Sequence, residues 1–100
     1  MKYHKLVRDN IPEIIKKKGL IPITHVSDDE EYWIKLKDKL KEEVDEFLKE
    51  NNKEELSDIL EVVKTICEFK NINDLEFIRE KKAKERGRFK KRIILEEVKE

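Results

Sequence analysis

One hundred residues and 12.1 kDa are enough for one small domain, expected over residues 1–100, and its 37% hydrophobic content fills only a modest core. Lys+Arg and Asp+Glu number 24 each, so no net field recruits nucleic acid or an anionic membrane, and neither is an expected partner. No apolar run nears the roughly 18 residues of a spanning helix, no secretory apolar core follows the first lysine, and one cysteine (Cys67) excludes an internal disulfide framework, which fits a cytoplasmic protein.

Met1 to Val7 reads as a short arm whose Tyr3, Leu6 and Val7 can pack on the body. Asp9 or Asn10 is placed to cap a helix from Ile11-Pro12, since proline is tolerated in a first turn, and Gly19 ends it. Leu20 to Val26 is extended: Pro22 opposes helix, while Ile21, Ile23 and Val26 favour a short strand or ordered loop. His4 and His25 lack ligand spacing and read as non-catalytic.

Ser27-Asp28-Asp29-Glu30 reads as a helix start, with Ser27 as N-cap and Glu30 completing a capping box. The helix predicted to run to about Glu50 carries apolar residues at Trp33, Leu36, Leu40, Val44 and Phe47, in steps of three and four. Asn51-Asn52 is a turn, because asparagine tolerates left-handed backbone and competes with helical hydrogen bonds. Asn52 caps a third helix to about Lys70, with its stripe at Leu56, Ile59, Leu60, Val63, Ile66 and Cys67; the thiol there is expected to be buried and structural. Asn73 is expected to cap a fourth helix bearing Leu75 and Ile78, closed by Gly87, and Arg92 to Val98 is a terminal strand or tail.

The turn lies between two carboxylate pairs at i, i+3, Glu43 with Glu46 and Glu55 with Asp58. At about 100° per residue, both pairs fall on equivalent flanks of their stripes. An antiparallel hairpin with its stripes facing inward brings those flanks to one side, so the four acids converge on one edge. Such charges repel unless a cation sits among them. A hard divalent ion with oxygen ligands answers this, and Mg²⁺ suits it if phosphates complete the shell, with Mn²⁺ an acceptable substitute. The bland counterpart is a solvated acidic face, since 48% of the chain is charged. Lys82 and Arg86 share a helical face and suit phosphate oxygens, and Lys5 and Arg8 are candidates to join them. Tyr32, Trp33 and Phe89 are candidates to stack on a base, although Trp33 lies on the apolar stripe.

EEVDE followed by EELSD resembles the EExxE…ExxD motif of the all-α nucleoside triphosphate pyrophosphohydrolases, the MazG-like superfamily that includes phosphoribosyl-ATP pyrophosphohydrolase. By position, Glu43, Glu46, Glu55 and Asp58 match that family's metal-binding acids, and Glu42 is the extra acid opening the first motif. KLVRDNIPEII, Lys5 to Ile15, resembles the opening of a small subgroup, and Lys82, Arg86, Gly87 and Phe89 match its K-x-x-x-R-G-x-F ending. The gap between Glu46 and Glu55 is shorter than in the longer MazG proteins.

A chain of this size is not expected to bury both long apolar stripes, so a homodimer or homotetramer formed mainly by the second and third helices is expected. The resemblance implies an all-α MazG-like fold: an antiparallel helical hairpin with short flanking helices and extended ends. It implies a Mg²⁺-dependent hydrolase that cleaves a standard or modified nucleoside triphosphate, or a phosphoribosyl-ATP-like nucleotide, between its α- and β-phosphates. The monophosphate and pyrophosphate are the products. Glu42, or another acid that does not bind the metal, is the candidate base for the attacking water, and Lys82, Arg86, Lys5 and Arg8 are the candidate phosphate-binding cations. The rival expectation is a non-catalytic oligomerisation or regulatory module with a solvated acidic edge.

Overall fold

Two asparagines set the register of the longest helices in the chain. In the computed structural model, which describes residues 3–100, these are α2 (Asp29–Glu50) and α3 (Lys53–Lys70), flanked by α1 (Ile11–Lys17) and α4 (Leu75–Arg86). Met1 and Lys2, the start of the predicted arm, lie outside the described residues. The described fold is all-α, with helix packed on helix and no strand. The chain divides into two compact units, Met1–Ile66 and Cys67–Glu100, with the boundary inside α3.

The α2–α3 hairpin forms where the pattern predicts it. Asn51 takes left-handed backbone (φ 58°, ψ 32°) and its N–H bonds the Phe47 carbonyl at 2.8 Å, closing α2. The Asn52 side chain then accepts from the Glu55 N–H at 3.1 Å, capping α3. One residue ends a helix and the next starts another, so the chain reverses at once. Every predicted stripe residue of α2 is shielded, and Leu36 is 1% exposed.

On α3 the shielded side differs from the predicted stripe. Val62, not in that stripe, is buried at 8% exposure, while Leu56 and Leu60 are exposed. Residues 59, 62, 63 and 66 form the packed side, and the apolar band simply extends beyond it. Cys67 is half-buried rather than buried.

The flanking elements correct several details. α2 is capped by Asp28, whose carboxylate accepts from the Glu31 N–H at 2.8 Å, one residue after the predicted Ser27 box. The charged aspartate makes the capping bond one step further on. Asn10 precedes α1 without a side-chain capping bond, and Asp74 rather than Asn73 precedes α4, also without one. Leu20 to Val26 forms no strand, because a lone extended segment has no neighbouring edge to pair with; Ile21, Ile23 and Val26 stand exposed. Arg92 to Val98 is likewise irregular and exposed.

α1 ends at Gly19 (φ 81°), where the Gly19 and Leu20 N–H groups bond the Lys16 and Ile15 carbonyls at 2.9 and 3.3 Å. Within the second unit, Gly87 ends α4 at φ 87° and ψ 175°, a region that side chains rarely enter. Arg79 there pairs with Glu76 and Glu80, and that contact holds the Glu76 carboxyl below its ordinary range.

Leu36→Ala removes the most deeply buried side chain and is expected to cost about 2–5 kcal/mol in urea melts. Asn52→Ala leaves that packing intact and removes only the α3 cap, so the same melts should give about 1 kcal/mol. Equal losses from the two variants would contradict this division of stability.

Candidate metal centre

The tight turn sets which acids of α2 and α3 meet. Glu43 lies two helical turns before Asn51, and Glu55 and Asp58 occupy the first two turns after Asn52. One carboxylate oxygen from each of Glu43, Glu55 and Asp58 lies within 4.8 Å of the other two. Glu43 is buried at 8% exposure; Glu55 and Asp58 are half-buried. The fourth predicted ligand, Glu46, stands one turn along α2 and is exposed, outside that group of three. It still acts on the group, since its charge adds to the repulsion felt by Glu55.

Partial burial, and then the charges of Asp58, Glu46, Glu43 and Glu50, push the Glu55 carboxyl above its ordinary value. Among the described residues, no cation offsets this in the causes that act on Glu55. Glu42, Glu43 and Asp58 do have partners. Lys39 Nζ lies 3.1 Å from Glu43 and 3.6 Å from Glu42, and is itself largely shielded. Lys5 Nζ donates to Glu42 Oε1 at 3.2 Å, and Arg8 Nη2 donates to Asp58 Oδ1 at 2.8 Å.

Lys5 and Arg8, expected on the substrate side, thus meet the acids. Glu42, expected as base, carries two lysines on one oxygen. Lys82 and Arg86 are exposed on α4, within the second unit.

Lys39 is the residue that the sequence reading missed. Its signal was present: three and four residues before Glu42 and Glu43, it shares their helical face. The five motif acids and the three cations paired to them leave an excess of two negative charges, the charge of one divalent ion. The donors would fit such an ion: three hard carboxylate oxygens lie close together, with Glu46 one turn along α2, and Mg²⁺ takes oxygen ligands. They do not suit a soft metal, for Cys67 and both histidines are absent from the group.

No family model matches the chain, and no solved structure matches it. A protein of Mycolicibacterium smegmatis (strain ATCC 700084 / mc(2)155), described as uncharacterised, is 49% identical over 43 residues. That segment is 43% of this chain and 44% of the mycobacterial protein, so the match spans less than half of either.

The raised Glu55 carboxyl makes a metal-free prediction. A carboxyl raised on folding binds its proton more tightly in the folded state. Its contribution is fully present below the unfolded value and is lost as pH rises through the folded one. Ionised Glu55 therefore destabilises the metal-free fold at neutral pH. Glu55→Gln should melt higher than the parent at pH 7 in chelator, and the advantage should vanish below about pH 4. A pH-independent difference would show that packing, not charge, is at work.

Proposed function

We propose that this chain is a Mg²⁺-dependent nucleotide pyrophosphohydrolase of the MazG-like kind, which releases pyrophosphate from a nucleoside triphosphate or a phosphoribosyl-ATP-like nucleotide. The observation that carries the reading is the meeting of Glu43, Glu55 and Asp58 from both arms of one hairpin within 4.8 Å. Those three acids, with Glu46 beside them, would hold the ion, and Mn²⁺ would serve in its place. The bound ion would polarise the phosphate and acidify the attacking water.

The chain's own groups supply the rest. Glu42 would accept a proton from the attacking water, and it lies next to Glu43 without belonging to the group of three. Lys5 and Arg8 stand within contact of Glu42 and Asp58, close enough to turn towards phosphate oxygens. Lys82 and Arg86 keep the phosphate-binding role that their motif implies, each within the second unit. Exposed Leu56 and Leu60 beside the packed side of α3 support assembly as a homodimer or homotetramer. Among the described residues no helix is long and apolar enough to cross a membrane. A lone free cysteine suits the cytoplasm.

One observation favours the rival, a non-catalytic helical module. Lys5, Arg8 and Lys39 already satisfy Glu42, Asp58 and Glu43 as ion pairs. The raised Glu55 carboxyl supports the metal-site reading over it, because a purely structural edge gains nothing from a carboxylate held among four like charges.

The test is pyrophosphate release from a panel of nucleotides with Mg²⁺, repeated with Asp58→Asn. Even residues that only support a metal ligand cost 10- to 100-fold, so loss of a ligand should cost about a hundredfold or more in kcat. Lys82→Ala should instead raise KM and leave metal affinity alone. Asp58→Asn also loses the Arg8 ion pair, so its metal-free stability should stay within about 1 kcal/mol of the parent. A panel with no turnover, or wild-type rates in Asp58→Asn, sinks the catalytic reading.

A further inference from the structure

The N-terminal arm lies across both arms of the hairpin at its acidic edge. Lys5 reaches α2 through Glu42 at 3.2 Å, and Arg8 reaches α3 through Asp58 at 2.8 Å. Lys35 of α2 donates to the His4 carbonyl at 2.8 Å, and Leu6 between these contacts is half-buried. Three polar links thus hold a segment with no helix of its own, and two of them end on carboxylates of the candidate site.

Arg8 and a divalent ion compete for the same group. Its guanidinium occupies Asp58 Oδ1, which leaves Oδ2 as the oxygen open to a metal. Sharing the carboxylate would set a dication and a guanidinium a few ångströms apart on the two oxygens of one carboxyl, where like charges repel. Arg8 is exposed and Asp58 only half-buried, so the pair's hold is weak and readily exchanged. Lys5 is held in the same way on Glu42, the candidate base. Lys39 differs, being shielded and carried on α2 itself.

We propose that Arg8 and Lys5 are built-in counter-cations, displaced when a divalent ion binds. The displacement frees both side chains for substrate phosphate and uncovers Glu42. This rests on the reading of Glu43, Glu55 and Asp58 as metal ligands. Its consequence is positive coupling: nucleotide binds more tightly once the metal is in place, because the cations it needs have been released. The guanidinium fork that grips one carboxylate oxygen fits two phosphate oxygens equally well.

The experiment is a Mn²⁺ titration of the full chain by calorimetry, with wild type, Arg8→Ala, Arg8→Gln, Asp58→Asn and Lys16→Ala. Lys16 pairs with Glu13 inside α1 and controls for the loss of one positive charge. Arg8→Ala and Arg8→Gln should each bind Mn²⁺ about two- to fivefold more tightly, and Lys16→Ala should match wild type. Arg8→Ala should weaken binding of an α,β-methylene nucleotide in Mg²⁺, so that metal and nucleotide move in opposite directions. In wild type, Mg²⁺ should lower the heteronuclear NOE of the Arg8 Nε–H group as the side chain comes free. Circular dichroism checks that the variants fold. If Mn²⁺ binding depends on Asp58 but Arg8→Ala and Arg8→Gln leave it unchanged or weaken it, the displacement is wrong and the metal site stands. An unchanged Arg8 NOE on Mg²⁺ saturation has the same meaning. If wild type and Asp58→Asn both fail to bind Mn²⁺, the metal reading falls and this proposal falls with it.

Discussion

Carboxylates gathered on one edge of a helix pair must be compensated, and much else in the first unit follows from that requirement. Packing the α2 and α3 stripes together forces Glu43, Glu55 and Asp58 into one neighbourhood. Burial of Glu43 then raises the demand, since a charge removed from water needs a partner. Lys39 answers for Glu43 and Arg8 for Asp58, whereas among the described residues the charges that raise the Glu55 carboxyl all repel it. The edge is therefore organised but incompletely neutralised, a condition that a stability-driven surface has no reason to keep. Replacing one such glutamate with a neutral residue would be the easier solution if only the fold mattered.

The hairpin was legible in the sequence because its signals are local and agree with one another. The i, i+3, i+4 stripes, the Asn51-Asn52 turn and the acids near the start of α3 all point to the same two helices. Local competition blurred the finer details. Ser27 and Asp28 are both good caps, and the side-chain bond chose the second. The apolar band of α3 is wider than its packed side, so periodicity could not separate Val62 from Leu60. An isoleucine-rich run such as Leu20 to Val26 has strand propensity, but propensity makes no strand without a partner.

The meeting of Glu43, Glu55 and Asp58 was legible in the sequence, the place of Glu46 outside their group was not, and the cations around them were less legible still. Spacing along a helix brings Glu43 together with the acids of α3, because the turn converts sequence distance into a known geometry. Lys39 was readable by the same arithmetic. The pairing of Arg8 with Asp58 was not, since it joins residues 50 apart through a segment without periodic structure. Charge patterning shows which cations are available and says little about where an irregular arm will carry them.

The exposure of the two arm contacts ties them to the medium around the protein. Lys5–Glu42 and Arg8–Asp58 each join an exposed cation to a half-buried carboxylate, whereas Lys39–Glu43 is shielded on both sides. Mobile ions screen over about 8 Å at physiological ionic strength and about 3 Å in molar salt. Dissolved electrolyte therefore loosens the arm while leaving the Lys39 contact nearly untouched. One cation is a fixture of the helix, and the other two hold their positions only as firmly as the surrounding salt allows.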